Sequence, residues 1–371
     1  MLRVCCGFFA LIVCLPAVVA GQTNPSTGSE PPNPTLELRP PPKAPAPPSS
    51  ITREGRIHLD IVVSDAAGKP ALGLLPPDFR VLDNDRPSRI LSFRGFDGVN
   101  VKPDPPVEVF LLFDTVNLPF AQSSFVRQQI AQFLRQNGGK LAQPVSIMLL
   151  TDAGLRVQPR PSVDGNALIT VLDQIKGGVH SIYSAMGADG NLQRFQLSLR
   201  QMARIAENES RRPGRKLLIW VGPGWPLLTG NNYRFSERDQ RQYFDTIVEL
   251  SNSLREARMA VYSASPANSA DPETRDLVYR DYLKGVPSAA KADTGYLGLK
   301  VLALESGGRI LGPDNDLVSQ INHCIADANA FYTLSFNPLP AEHANEYHSL
   351  KVVVDQPGLS VRTTSGYYGQ P

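Results

Sequence analysis

The sequence predicts an α/β fold: a doubly wound, mostly parallel sheet flanked by N- and C-terminal antiparallel β segments. Three observations carry this. Short apolar runs at 109–113, 145–150, 217–221 and 259–263 have the texture of strands buried on both faces. Amphipathic, helix-length stretches alternate with them, the order expected of a parallel sheet covered on both sides. Before and after this core, from Arg56 to Phe93 and again from Phe331, the apolar period falls to two.

Taken in order, residues 1–20 read as a secretory signal. Arg3 gives a positive start, 8–13 an apolar stretch and Pro16 a break, and Val18-Val19-Ala20 offers a cleavage site before Gly21. The apolar stretch is shorter than the ~20 residues of a membrane span, and no later run is long enough either. Residues 21–50 contain ten prolines, which supply no backbone donor for a helix or sheet, so this segment is read as a disordered tether of polyproline II character. If Cys5, Cys6 and Cys14 leave with the signal, Cys324 remains alone and the exported fold has no internal disulfide. Cys324 continues the apolar pattern of Leu317, Ile321 and Ile325, which makes it a buried structural thiol; His323 beside it points elsewhere on a helix.

The N-terminal β segment spans 51–100. Ile57, Leu59, Ile61 and Val63 share one face, 65–70 is a turn, and 78–82 and 89–93 are strands joined through Asp83-Asn84-Asp85. This small antiparallel unit is marginal alone and needs something to pack on; it and the C-terminal β segment are expected to pack together or against the core, with one discontinuous sandwich among the outcomes. The α/β core is assigned to 106–328. Its first strand ends in Asp114, and a helix over 124–136 presents Phe125, Ile130, Phe133 and Leu134. After the strand at 145–150, residues 155–157 return as a hairpin. Asp164 caps a helix carrying Leu168, Val171, Leu172 and Ile175. Helices at 192–208 and 238–256 bracket the strand at 216–221, and Asp314-Asn315-Asp316 opens a last helix to 328. The C-terminal β segment, 329–371, holds strands at 331–336, 349–354 and 360–364, with Gly366-Tyr367-Tyr368 pinned by its rings.

Charge and motifs exclude more than they assign. Thirty-seven basic against 35 acidic side chains leave a net charge of +2, no footprint for nucleic acid. Gly-x-Ser-x-Gly and His-Glu-x-x-His are both missing, so no standard hydrolase or zinc signature is met. Gly222-Pro223-Gly224 lacks the Lys-Ser/Thr of a phosphate loop and reads as a tight turn under Trp225. Arg211, Arg212, Arg215 and Lys216 read as a solvated helix-to-strand connection, and His343 and His348 as solvent-facing.

The order from 108 to about 328 resembles a von Willebrand factor A-type domain: the apolar strand ending in Asp114, a helix, the strand at 145–150, a hairpin, Gly177-Gly178, helices, and the strand at 217–221. It is most similar to the VWFA-related family of acidobacterial secreted proteins. Asp65-Ala66-Ala67-Gly68-Lys69-Pro70, Pro77-Asp78-Phe79, residues 90–93, Leu218-Ile219-Trp220-Val221 and Gly366-Tyr367-Tyr368 extend that likeness over about residues 55–370. The resemblance implies a carboxyl-end site where Asp-x-Ser-x-Ser, a Thr and a second Asp hold a divalent cation that a partner's carboxylate completes. Asp114 matches the first Asp, but Val116 and Leu118 stand at the serine positions, and His180 or Ser181 at the Thr position. Gly222-Pro223-Gly224 replaces the second Asp. The metal site is therefore degenerate, and neither a metal nor another cofactor is expected.

These readings give an expectation of a secreted or periplasmic, envelope-tethered bacterial protein, not an enzyme, that binds an unidentified protein partner. Asp114, Asn117, His180, Ser181 and Trp225 are its candidate rim residues, with Trp225 expected either at the rim or in the core. The alternatives are an envelope hydrolase with an unrecognised triad and a purely structural envelope component. Oligomeric state is not read from the sequence.

Overall fold

A computed structural model of the chain describes residues 55–174, 187–228, 235–267 and 278–371. The signal and tether readings, Ile175, Gly177-Gly178, His180 and Ser181 lie outside the described residues. The central sheet is built from β5 (Glu108–Asp114), β6 (Lys140–Thr151), β7 (Gly154–Val157), β9 (Lys216–Val221), β10 (Met259–Pro266) and β11 (Arg309–Asp314). Their spatial order is β11-β10-β9-β5-β6-β7, with the short β8 (Ser162–Asp164) pairing β6. All neighbours are parallel except β7 and β8, which run antiparallel to β6.

Period-two side-chain alternation divides this sheet into two cores. Val109, Leu111, Phe113, Leu217, Ile219 and Val221 face α1 (Phe120–Leu134), α2 (Gly165–Gln174) and α6 (Leu317–Asn329). Phe110, Leu112, Leu218 and Trp220 face α3 (Gly187–Ser210), α4 (Glu237–Glu256) and α5 (Leu299–Glu305). The α/β expectation therefore stands at the level of a largely parallel sheet with helices on both faces. Elements α5 and β11, unread in the sequence, complete its far edge, and α1 begins at Phe120, ahead of the start expected at 124.

The N-terminal β segment packs with the C-terminal one, an arrangement the sequence allows. β1 (Ile57–Ser64), β2 (Phe79–Asp83), β3 (Arg86–Ser88) and β4 (Ile90–Phe96) interleave with β12 (Phe331–Phe336), β13 (Glu346–Val354), β14 (Ser360–Arg362) and β15 (Gly366–Gly369). They form two four-stranded sheets, β14-β1-β12-β4 and β15-β13-β2-β3. Registers such as Leu59↔Leu334 and Val81↔Val352 bring apolar faces from both ends of the chain into one core. The result is one discontinuous β sandwich. Its outward residues Val62, Phe96 and Phe331 join the α1–α6 core, so the sandwich is packed onto the α/β layers. Three ion pairs reinforce that seam: Asp60 with Arg258, and Asp327 with both Arg309 and Arg362.

Two polar readings are corrected here. The basic run is not solvated at its end, because α3 delivers it directly into buried β9. Lys216 Nζ donates to the carbonyls of Arg212, Gly214 and Ala257 at 2.6, 3.0 and 3.0 Å, and desolvation lowers its pKa to about 8. Arg215 is buried over the Phe331 ring, and Arg212 pairs with Glu108 and Glu209. His348 is 1 % exposed rather than solvent-facing, since it shares its strand face with inward Leu350 and Val352. Its Nδ1 lies 3.1 Å from Asp83 Oδ1, and Tyr367 Oη donates to Asp83 Oδ2 at 2.8 Å. His343 is exposed, as expected.

Candidate functional site

The strand order reverses its direction of growth at β5, and in open α/β sheets the crevice outside such carboxyl ends is where ligands bind. Asp114 is the last residue of β5 and is 0 % exposed. Its Oδ1 accepts from the backbone N–H groups of Val116 and Asn117, both at 3.0 Å. Its Oδ2 accepts from Asn117 Nδ2 and Trp220 Nε1, both at 2.8 Å. Burial pushes the carboxyl up to about 6 against the opposing pull of these four donors.

The neighbours close over this carboxylate. Gly222, at the end of β9, has φ 155°, and a Cβ there would lie 2.9 Å from Asp114 Cβ, so only glycine lets the turn pass so near. Trp225 follows that turn and is 0 % exposed. It meets Trp220 edge-on at 5.0 Å and donates from Nε1 to the Leu297 carbonyl at 3.0 Å. Of the two places expected for Trp225, rim and core, the structure gives the core. Asn117 is also buried, its Nδ2 shared with Ser198 Oγ at 3.0 Å, and Val116 and Leu118 are apolar and buried.

These residues do not fit a divalent cation. Both Asp114 oxygens accept from N–H donors, the Trp220 indole among them, and Val116 and Leu118 offer no side-chain oxygen. Among the described residues no group of three His, Cys, Asp or Glu side chains converges as a metal site. The structure thus brings Asp114, Asn117 and Trp225 to one end of the sheet, but as an internally satisfied network, while His180 and Ser181 lie outside the described residues.

Sequence reasoning missed three participants. Trp220 shares its inward parity with Leu218 and lies in register with Leu112, beside the strand that ends in Asp114; a buried indole N–H needs an acceptor. Ser198 had no sequence signal, because its contact is set by how α3 packs. Phe120 opens α1 just beyond the β5 loop, and its ring is 70 % exposed at the carboxyl-end rim.

The chain matches no known protein family, and no curated protein is similar to it. Among solved structures it is similar to the human COPII-coat protein Sec24c, with 10% identity over 83% of this chain and a TM-score of 0.36. It is also similar to the pilus adhesin SpaC from Lactobacillus rhamnosus GG, with 10% identity over 81% of this chain and a TM-score of 0.32. It spans about half the length of either protein, 48% and 49% respectively.

Proposed function

We propose that the chain is an exported, envelope-tethered protein-binding module of adhesion or scaffold type, not an enzyme. On this reading it meets its partner at the carboxyl-end rim without a metal ion. The observation that carries the reading is Phe120, the one aromatic ring among the large apolar side chains exposed in the described residues, standing beside a closed Asp114 network. An exposed ring at the edge of a rigid sheet end is the kind of anchor on which protein interfaces concentrate their energy. The A-type reading is supported by the position of β5, which is flanked by the strands that precede and follow the crossover, and by the antiparallel β7 beside β6. Export rests on the sequence of residues 1–20 alone.

The test is retention of an envelope partner by the immobilised chain, comparing wild type, Phe120→Ala and a sandwich control, Leu75→Ala. Wild type and control are expected to retain the same partner with or without EDTA, and Phe120→Ala to lose most of it. Loss on chelation, or full retention by Phe120→Ala, would overturn the reading.

A further inference from the structure

A second group of side chains stands at the carboxyl end of the sheet, on the α3–α4 side. The 3-10 turn Thr294–Leu297 is tied to the loop that leaves β9. Thr294 Oγ1 donates to the Leu228 carbonyl at 3.2 Å, and the Leu297 carbonyl accepts from Trp225. Asp293 caps this turn, its Oδ1 accepting from the Gly295 N–H at 2.8 Å. Two edge-to-face ring pairs stand beside it: Tyr282 with Tyr296, centroids 4.9 Å apart, and Phe235 with Tyr243, 5.0 Å apart. All of these rings are only partly buried. The Tyr282 hydroxyl donates to the Asp293 carboxylate, whose charge also reaches Tyr243 and Tyr296. Gly295 is what lets Tyr282 lie so near, since a Cβ there would overlap the tyrosine ring.

The other charged groups that act on Tyr243 and Tyr296 are carboxylates too. Asp239 reaches Tyr243, and Glu305, which burial keeps largely protonated at neutral pH, reaches Tyr296. Asp281 adds to Asp293 at Tyr282. Burial first, and then these carboxylates, raises the phenols of Tyr243 and Tyr296 above their usual value and that of Tyr282 to about 12. Asp293 itself is in no ion pair among the described residues. Aromatic faces carry negative potential, so rings gathered at a carboxylate with no basic neighbour are the complement of a cation.

We propose that Asp293 and these tyrosines receive the guanidinium group of an arginine presented by a protein partner. Guanidinium fits best among cations because it is planar, stacks on aromatic faces and offers a carboxylate parallel N–H groups, whereas an ammonium is a compact, strongly hydrated point charge. That the arginine belongs to a protein rests on the protein-binding reading. The guanidinium site itself shares no residue with the rim at Phe120.

The experiment is NMR titration of the full chain with Nα-acetyl-arginine amide at constant ionic strength, followed at the Gly295 amide, whose N–H is bonded to Asp293. Saturable shifts at millimolar ligand are expected. The citrulline analogue, nearly the same shape without the charge, should give none, and the blocked lysine and choline should bind more weakly. Asp293→Asn keeps an oxygen for the Gly295 N–H and removes the charge. It should weaken arginine binding roughly tenfold or more while its melting temperature stays near wild type. Tyr296→Leu should weaken binding roughly two- to fivefold, the loss of one ring. Phe120→Ala should bind arginine as wild type does, so a failure here is distinct from a failure of partner capture at the rim. The proposal would be overturned by no saturable shift, by citrulline, lysine or choline binding as well as arginine, or by wild-type affinity in Asp293→Asn.

Discussion

Replacing Asp114 by alanine separates a carboxylate closed in by donors from one that holds a cation. The substitution orphans the N–H groups of Val116 and Asn117 and the Trp220 indole, while Asn117 Nδ2 keeps Ser198. Each buried donor left without an acceptor costs about 1–3 kcal/mol, which puts the three at about 3–9 kcal/mol together. Against this, the wild-type carboxyl is itself held unfavourably when ionised. At about 6 rather than 3.8, it gives up about 3 kcal/mol of stability once fully charged.

The sign follows from proton counts. Between pH 3.8 and about 6 the folded chain keeps a proton that the unfolded chain has lost. Wild-type stability from this group therefore falls as pH rises through that window and is level above it. The variant has no such dependence. Asp114→Ala should thus destabilise by about 3 kcal/mol at neutral pH, and by about twice that near pH 4. The assay is urea denaturation of both proteins across pH, with magnesium or EDTA present. A cation-bound or salt-bridged carboxylate has a depressed pKa and gives the opposite trend. A penalty that shrinks on acidification, or a wild-type midpoint that falls with EDTA, would refute the closed-network reasoning.

Three other outcomes follow from the packing. Trp225→Ala should lower stability by about 3–5 kcal/mol, as for other buried aromatic truncations, measured by denaturant midpoint; a neutral effect would return Trp225 to the surface. Asp327→Asn should cost about 3–5 kcal/mol, because Arg309 and Arg362 lose their shared counter-charge at the seam. Hydrogen exchange should then show the sandwich opening first, and uniform exchange would argue against a seam held by this residue. Glu305 is pushed up to about 8 from 4.5 by desolvation, so wild-type stability should fall as pH rises through that range, by up to about 5 kcal/mol. Glu305→Gln should flatten the profile and be the more stable protein at pH 9, read from melting temperatures; parallel profiles would refute the shift.

How much was legible depended on whether a residue's neighbours were local. The buried runs of β5, β9 and β10 and the caps at Asp164 and Asp316 were visible because periodicity and capping are properties of a few consecutive residues. The parity of His348 with Leu350 was equally local, but an imidazole next to a polar loop reads as solvent-facing; Trp220 read as buried, and only the acceptor for its N–H was not legible. Lys216 opens a buried strand, and its burial is tolerable because three carbonyls converge on Nζ from Arg212, Gly214 and Ala257. The last of these is distant in sequence. The α5–β11 stretch escaped because a seven-residue helix shows less than two full periods, and β11 is an edge strand interrupted by Gly312 and Pro313. That the two β segments share their sheets is a matter of long-range pairing, which no window of the sequence reports.

The same distinction explains why the two ends of the central sheet differ. At the carboxyl end, Trp220 and the Gly222 turn fill the crevice that the strand order creates, and the exposed apolar surface there is the Phe120 ring at the outer rim. At the amino end, the sandwich adds a wall that an isolated α/β sheet lacks, and arginines are what it encloses. Arg258 shows that this arrangement is held against a local preference. It follows α4 as the first residue beyond the Ala257 cap, with φ 51°, a position where glycine is the usual choice because a side chain strains there. A glycine would relax the backbone but release Asp60 and Thr333 from their guanidinium partner. That the chain carries arginine there ties the helix terminus to β1 and β12.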